Sequence, residues 1–380
     1  MRVLFISHDD SRTGAPILLI NLKNALIQSN PHFQVDFLIK NCNYIIHDHF
    51  SENGITYFIN DSSKKSLCER VKNKFIPDYQ LKKQLKKLKK INISSYDLIL
   101  SNTITNGDIL PLVRKLYNGI IVSYIHELRM SSSLYSNKKD IHDLIRCTDY
   151  FAYPSEAVKQ YLTKEYKINS DLLLYLPYYI SNPNCLVNRV GKNTDNYFVI
   201  GACGTADWRK GFDVFIQLSL FIYETNSNRK IKFIWKGISE GIELEKARYD
   251  IDKLGLTEFI ELSPSGYDML NFWNSIDLFL LTSREDPFPL VVLEAAANRI
   301  PTIAFEGSGG APEFIDLDAG ITVPYLSIRS MSNSIIHLID NPGVLQRYKN
   351  NAFEKFENKY NNSRLISNYF QIINNKKKNV

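Results

Sequence analysis

Two carboxylates that follow an apolar run are the residues most suggestive of chemistry in this sequence. Asp286 and Glu294 stand eight positions apart, and residues 278–283 before them are apolar enough to form a buried parallel strand. Pro289 is typical of a helix start, and residues 290–298 are expected to form a short helix with Glu294 on its second turn. The two acids therefore bracket the turn between a strand and a helix.

The expected helix start is suited to binding an anion. A helix that follows a parallel strand points its free N–H groups and the positive end of its dipole into the crevice at the carboxyl edge of the sheet. The N–H groups of Leu290 and Val291 are predicted to hold phosphate oxygens of a nucleoside diphosphate, because Pro289 has no N–H to donate.

The acids themselves are suited to hydroxyl groups. A carboxylate accepts hydrogen bonds from two vicinal hydroxyls, so Glu294 suits a ribose and Asp286 suits a transferred sugar. One structural alternative is that Asp286 only caps the helix. Another is that Glu294 forms a surface ion pair with Arg299 or Arg284.

A longer ordered set of residues around these acids resembles the signature of glycosyltransferase family 4. That signature has two Glu residues with seven residues between them, followed by a glycine pair and another Glu. The matching positions here are Ser283, Arg284, Asp286, Phe288, Pro289, Leu290, Glu294, Ala295, Pro301, Gly309, Gly310, Pro312 and Glu313. The first acid is Asp286 instead of Glu, and this shorter side chain still permits a hydroxyl contact.

The resemblance implies an α/β protein of the GT-B fold, with two Rossmann-like, doubly wound parallel-sheet domains facing across a cleft. It also implies a retaining hexosyltransferase that needs no metal or other cofactor. The donor would be a UDP- or GDP-linked sugar, and the acceptor would be a hydroxyl of a glycan or lipid-linked glycan in bacterial capsule, O-antigen or lipooligosaccharide synthesis. The helix start, Lys210 and Arg209 would then replace a divalent ion at the departing phosphate.

The same resemblance assigns roles to individual residues. Lys210 stands in the place of the family's pyrophosphate-binding Lys, and Arg209 supplies a second charge because Thr205 stands where the family usually has Arg. The predicted catalytic residues are His126, Asp286 and Lys210; the predicted donor-binding residues are Arg209, Lys210, Asp286, Phe288, Leu290, Val291 and Glu294; Gly14 and Ala15 are expected on the acceptor side, and Gly309, Gly310 and Glu313 at the sugar.

Each of these assignments has a plainer alternative. His126 follows a strand predicted at 120–125, where a His is often structural, and in a retaining transfer it need only hydrogen-bond a sugar hydroxyl or the acceptor. Arg209 and Lys210 would also fit a solvated loop, and Gly14 would fit an ordinary turn before a helix.

The chain is long enough for two domains. It has 380 residues, of which 44% are hydrophobic, and strand-like runs alternate with helical ones on both sides of a polar stretch at 181–196. The boundary is predicted at 185–196, which gives an acceptor-binding domain at 1–185, a nucleotide-sugar-binding domain at 186–362 and a helical segment at 363–380 that, as in similar proteins, crosses back to the first domain. The predicted strands are 3–7, 35–39, 55–59, 98–101, 120–125, 151–154, 172–176, 198–202, 231–235, 259–262, 278–281 and 302–305.

The net charge of +6 is concentrated in one lysine-rich run at 82–90. This run predicts a helix with Leu81, Leu85 and Leu88 along one stripe, which could lie on an anionic membrane or be a solvated face. No aromatic residues interleave with the lysines, so nucleic acid is not an expected partner.

Cysteine usage and hydropathy indicate the compartment. The five cysteines form no CxxC pair and no metal-ligand spacing, and no apolar run reaches the roughly 18 residues of a membrane span. A cytoplasmic protein is expected, soluble or peripheral on the inner face of the plasma membrane.

Two other functions stay open. The chain could be a non-catalytic nucleotide-sugar-binding protein, with the cleft kept and the chemistry lost. It could also be a nucleotide-sugar epimerase of the same architecture, which would turn over the donor without an acceptor.

Overall fold

The chain forms two compact units. The computed structural model describes residues 1–52, 54–61, 79–180, 197–264, 266 and 269–376. One unit contains Met1–Ser181 together with Asn362–Val380, and the other contains Asn182–Asn361. The boundary predicted at 185–196 lies outside the described residues.

The first unit is built on a sheet of seven parallel strands. They are β1 (Arg2–Asp9), β2 (Gln34–Cys42), β3 (Thr56–Asp61), β4 (Leu98–Asn102), β5 (Ile120–Tyr124), β6 (Tyr150–Tyr153) and β7 (Leu173–Tyr175). Their order across the sheet is β3-β2-β1-β4-β5-β6-β7. Every residue of β4 and β5 is buried, and both strands begin with three aliphatic residues, as expected for strands covered on both faces.

Helices of the first unit connect these strands. They are α1 (Gly14–Ser29), α2 (His47–Ser51), α3 (Tyr79–Leu88), α4 (Leu110–Arg114), α5 (Arg129–Tyr135), α6 (Lys138–Cys147) and α7 (Glu156–Tyr166). Local signals set both ends of helix α7. The Ser155 side chain accepts a hydrogen bond from the Val158 N–H at 3.4 Å, and Lys167 ends the helix in the left-handed conformation.

The second unit has a sheet of six parallel strands in the order β10-β9-β8-β11-β12-β13. They are β8 (Phe198–Cys203), β9 (Ile231–Ile238), β10 (Ile260–Pro264), β11 (Leu278–Leu281), β12 (Thr302–Phe305) and β13 (Gly320–Val323). Its helices are α8 (Phe212–Thr225), α9 (Ile242–Lys253), α10 (Met269–Ser275), α11 (Leu290–Ala297), α12 (Ala311–Ile315), α13 (Ile328–Asp340) and α14 (Pro342–Lys355). Strand β13 was not among the predicted strands.

In both sheets, the side on which the chain adds strands changes at the first strand. The chain adds β2 and β3 on one side of β1 and then adds β4 on the other side, and β8 to β11 repeat this order. Loops that leave two such neighbouring strands turn to opposite faces of the sheet, which opens a crevice at the carboxyl edge. Ligand sites are therefore expected after β1 and β4, and after β8 and β11.

The last described helix, α15 (Ser363–Lys376), belongs to the first unit. The Phe370 ring is fully buried, and its centroid lies 6.0 Å from that of Phe5 in β1. The Tyr369 ring meets Tyr175 edge to face at 6.0 Å. The chain thus returns to the first sheet after the second unit, through aromatic contacts.

Most of the leucine stripe of the lysine-rich helix α3 packs inside the first unit. Leu88 is fully buried and Leu85 packs against the core, whereas Leu81 is 45% exposed. The surface of this helix is therefore its charged face, with Lys82 and Lys86 exposed on it and Lys89 and Lys90 exposed just after it. Among the residues with a described structure, no helix is long and apolar enough to cross a membrane.

Removing the Phe370 ring is expected to destabilise the first unit by about 3–5 kcal/mol, because a buried aromatic side chain leaves a cavity. The measurement is the free energy of unfolding of Phe370→Ala in urea. Ile372, which is 55% exposed on the same helix, provides the control, and Ile372→Ala is expected to cost less than about 0.5 kcal/mol. Equal losses for the two variants would show that α15 is not held through its aromatic face.

Candidate functional site

The predicted donor residues of the second unit lie on the loops that follow β8 and β11, at the reversal of the sheet. The Lys210 ammonium bonds to Oδ2 of Asp286 at 2.5 Å, and both side chains are largely buried. The Cys203 thiol at the end of β8 is buried, and burial raises its pKa. Glu294, Lys210 and Asp286 are all close enough to Cys203 to influence that pKa, so the structure brings the three predicted residues together.

The Asp286 backbone is fixed by the glycine pair downstream. The Asp286 N–H donates to the Ser308 carbonyl at 2.6 Å, and the Gly310 N–H donates to the Asp286 carbonyl at 3.1 Å. Gly309 has a φ of +132°, and a Cβ at this position would lie 1.8 Å from the Asp286 carbonyl oxygen. The glycine is therefore required for the close approach of the two loops. The Gly310 N–H is occupied by this bond to Asp286. A contact between the glycine pair and a sugar stays a prediction.

The loop that carries Lys210 is held by similar constraints. Gly211 has a φ of +72°, and a Cβ there would lie 2.0 Å from the Thr282 carbonyl oxygen. The Thr282 hydroxyl donates to the Lys210 carbonyl at 3.0 Å. Thr205, which departs from the expected Arg, donates to Asp207 at 2.7 Å, and Asp207 accepts from the Lys210 N–H at 2.8 Å. The Thr at this position thus braces the turn that presents Lys210.

Arg284 joins the two loops, a role that the sequence did not predict. Its guanidinium makes two hydrogen bonds to Asp213 at 2.8 and 2.7 Å, and these bonds lower the pKa of that carboxyl. The backbone N–H of Arg284 donates to the Arg209 carbonyl at 2.8 Å. Arg209 in turn donates to the Glu285 carbonyl at 3.0 Å, while its buried Nε has no protein partner. The Arg209–Lys210 pair is therefore part of a packed loop rather than a solvated one.

Helix α11 begins at Leu290, as predicted, with Pro289 at the position before it and no side-chain cap. Glu294 is partly buried on this helix, and burial raises its pKa to about 7. The two alternative ion pairs for Glu294 are not seen. Arg284 pairs with Asp213, and the Arg299 guanidinium lies over the Phe353 ring at 3.8 Å.

Phe288 and Glu313 lie around the same turn but in different surroundings. The Phe288 ring is 3% exposed and stacks on Tyr360, with centroids 5.5 Å apart, so it braces the turn from inside. Glu313 is exposed on α12 and lines a groove of about 490 Å³ together with Lys355. Contacts of these two side chains with donor or sugar stay predictions.

His126 lies just after β5 in the first unit, and its partners are Asn102, Tyr178 and Glu127. Its Nε2 lies 2.5 Å from Oδ1 of Asn102, and its Nδ1 lies 3.0 Å from the Tyr178 hydroxyl. Because the Asn102 amide nitrogen donates to the Ala15 carbonyl at 2.9 Å, its oxygen must accept, so the proton of the imidazole is assigned to Nε2. Burial, with a smaller effect of His8, lowers the pKa of His126 to about 3, and the ring is neutral and hydrogen-bonded at both nitrogens.

Glu127 supports His126 from the protein interior. Its Oε2 accepts from the N–H groups of Ile104 at 3.1 Å and His126 at 2.9 Å. Burial raises the pKa of Glu127 to about 7, against the opposing effect of these hydrogen bonds. Ala15 takes part through its carbonyl, and both it and Gly14 lie in the first turn of α1.

Sequence reasoning missed the three partners of His126, namely Asn102, Glu127 and Tyr178. Asn102 had a usable signal, because it ends an apolar strand at the edge where His126 also lies. Tyr178 had none, since it lies beyond β7 and meets the ring only in the folded chain.

No metal centre is evident in the part of the chain that the structure describes. Within those residues, no group of three or more His, Cys, Asp or Glu side chains is placed to hold a metal ion. An Asp-x-Asp pair does occur downstream of the glycine pair, but Asp316 and Asp318 both bond to Lys355. What the second unit assembles is a cation, a helix start and two acids, which together suit a phosphorylated, hydroxyl-rich ligand.

Replacing Glu294 with Gln is expected to change how stability depends on pH. Between about pH 4.5 and 7 the unfolded chain loses the Glu294 proton while the folded chain keeps it, so wild-type stability falls as pH rises through this window. The free energy of unfolding of Glu294→Gln relative to wild type should therefore rise by about 1–3 kcal/mol from pH 5 to pH 8. Urea unfolding of both proteins at the two pH values measures this, and a constant difference would contradict the buried carboxyl.

Comparisons with known proteins bear on the family and the fold. Residues 188–355 match the family model described as Glycosyl transferases group 1. The capsular polysaccharide biosynthesis glycosyltransferase CapM of Staphylococcus aureus is 25% identical over 179 residues, which cover 47% of this chain and 46% of CapM. The O-antigen biosynthesis glycosyltransferase WclY of Escherichia coli is 25% identical over 203 residues, which cover 52% of each protein. The chain spans about half the length of these curated relatives.

The architecture matches that of a solved structure. The crystal structure of HepE from Anabaena in complex with UDP and glucose matches with a TM-score of 0.75, covering 98% of each chain at 16% identity. At that identity the likeness shows the fold, and it confirms the two doubly wound α/β units expected of a GT-B protein. Residues 188–355 thus match the glycosyl transferases group 1 family, within a chain that has the GT-B fold.

Proposed function

We propose that this protein is a retaining hexosyltransferase that moves a sugar from a nucleoside diphosphate sugar to a hydroxyl of a glycan or lipid-linked glycan. The observation that carries the proposal is the convergence of Lys210, Asp286 and Glu294 beside the start of α11, within the group 1 domain. The relatives named for capsule and O-antigen synthesis favour a bacterial surface polysaccharide as the product.

The donor is proposed to lie at the carboxyl edge of β8 and β11. Its diphosphate would be held by Lys210 and by the N–H groups of Leu290 and Val291, with Arg209 near the same turn. Glu294 would accept from the ribose hydroxyls, and Asp286 from the hydroxyls of the transferred sugar. UDP is the first nucleotide to test, because HepE was crystallised with it.

In the proposed reaction, the bond between the anomeric carbon and the β-phosphate oxygen breaks, and its electron pair leaves with the phosphate. The acceptor hydroxyl forms the new bond on the same face of the sugar and gives its proton to the departing phosphate oxygen. Negative charge grows on the diphosphate as this happens. Each well-placed donor at that position is worth about 2–4 kcal/mol of barrier, which is the role proposed for Lys210 and the helix start.

His126 is proposed to shape the substrate side of the site rather than to act as a base. Its imidazole is neutral, and each ring nitrogen already has a partner in Asn102 or Tyr178. A neutral ring in a fixed tautomer presents one face and one orientation to the substrate. Gly14 and Ala15, linked to this ring through Asn102, are proposed to line the acceptor side.

The direct test is incubation with a panel of UDP-, GDP- and dTDP-sugars, with and without glycan acceptors, followed by measurement of nucleotide release. Release that depends on an acceptor supports the proposal, provided that NMR shows the same anomeric configuration in the product as in the donor. Donor conversion without an acceptor would identify an epimerase. Binding of a nucleotide without any turnover would identify a non-catalytic binding protein.

Loss of the Lys210 ammonium is expected to slow transfer by about 10²–10³-fold, because the departing phosphate loses its cation. The measurement is kcat of Lys210→Ala for sugar transfer. Lys246→Ala is the matched control, since Lys246 is exposed on α9 and pairs with the surface residue Glu243. Wild-type turnover of Lys210→Ala would place the departing diphosphate elsewhere.

A membrane-facing role is proposed for the charged side of α3. Lys82 and Lys86 are exposed, while the leucines at 85 and 88 pack inward, so attraction to the surface would be electrostatic rather than by insertion. Such a surface would bring the enzyme to a lipid-linked acceptor at the cytoplasmic leaflet.

Charge reversal on α3 is expected to weaken binding to anionic vesicles by at least about 100-fold, because each basic residue near the surface contributes about 1 kcal/mol. The variant changes Lys82, Lys86 and Lys90 to Glu, and sedimentation with phosphatidylglycerol vesicles measures binding. A control with the same charge change replaces the exposed Lys230, Lys246 and Lys253 of the second unit. Equal losses in the two variants would mean that net charge, not this helix, governs the attraction.

A further inference from the structure

The Lys210 ammonium is already bound by a carboxylate of the protein. Its Nζ lies 2.5 Å from Oδ2 of Asp286, where the side chains are 16% and 8% exposed. The Ser283 hydroxyl donates to the same oxygen at 3.4 Å. An ion pair this sheltered is screened less by salt and water than a surface pair, so each charge strongly affects what else its partner can bind.

Asp286 cannot easily move away from this position. Its N–H and carbonyl are both bonded to the segment 308–310, and Gly309 packs directly on its carbonyl. The lysine is the more adaptable partner, because four rotatable bonds separate its ammonium from a backbone that is itself held by Thr282 and Asp207. The carboxylate is thus an anion on a short side chain with a fixed backbone, beside a cation that can adjust more freely.

We propose that Asp286 competes with the donor diphosphate for Lys210 and thereby lowers the affinity of the site for the nucleoside diphosphate that is left after transfer. This inference rests on the proposed donor site. A diphosphate at Lys210 must share the cation with a carboxylate of like charge, and the carboxylate takes the cation back when the product leaves. Asp286 therefore acts on the diphosphate through Lys210, in addition to any contact with the sugar.

The competing interpretation is that Asp286 binds only sugar hydroxyls. The two are separable because UDP and inorganic pyrophosphate carry no hexose. A residue that binds only the sugar has no effect on the affinity for these two ligands. A residue whose loss merely loosens the loop weakens their binding, whereas loss of a competitor strengthens it.

The experiment is isothermal titration calorimetry with UDP and with inorganic pyrophosphate. The proteins are the wild type, Asp286→Asn, Lys210→Met and the double variant. Asp286→Asn is expected to bind both ligands about tenfold more tightly, a change of about 1.4 kcal/mol. The gain should largely disappear in the Lys210→Met background, because the competition is for that ammonium. Asp286→Glu keeps the negative charge and is expected to show no such gain.

Asp340→Asn is the matched control, because it also removes one carboxylate from an ion pair, with Arg229, at 2.5 Å on the surface of the second unit. Its affinity for UDP is expected to equal that of wild type. Unchanged or weaker binding by Asp286→Asn, while wild type binds, overturns the inference and leaves the proposed function standing. If no protein in the series binds either ligand, the donor site itself is overturned, and the inference with it.

Discussion

The close approach of two loops, those that follow β8 and β11, is the constraint on which the candidate site depends. At two points a backbone lies where a Cβ would otherwise be: Gly211 against the Thr282 carbonyl, and Gly309 against the Asp286 carbonyl. Arg284 then ties the loops together through Asp213 and the Arg209 carbonyl. Without this contact, Lys210 and Asp286 would stand on separate flexible segments, and a sheltered ion pair between them would lose its geometry.

Burial sets the charge state of several groups near the two carboxyl edges. It raises the pKa of Glu294 and Glu127 to about 7 and lowers that of His126 to about 3. These shifts have one physical cause, since a low-dielectric environment disfavours the charged form of acids and bases alike. The first unit thereby holds a neutral imidazole in one tautomer, and the second holds an acid that ionises near neutral pH.

The contacts that sequence reasoning did not predict all orient functional side chains or the loops that carry them. Asn102, Glu127 and Tyr178 orient His126, while Thr205, Asp207, Asp213 and Arg284 orient the Lys210 loop. These residues contact the functional side chains or the loops that carry them. They restrict rotamers and backbone freedom before any ligand arrives, which reduces the entropy that binding must overcome.

The sequence by itself determined the order and type of most elements, the acid pair with its strand, turn and helix, and the start of that helix at Leu290. Those features follow from local periodicity, proline and glycine positions and spacing, which act over a few residues. Only the tertiary structure decided the strand order, the burial of the α3 leucines, the Lys210–Asp286 ion pair and the hydrogen bonds of His126. Each of these joins positions far apart in the chain, from 24 residues between His126 and Asn102 to 76 between Lys210 and Asp286, and no local pattern records such contacts.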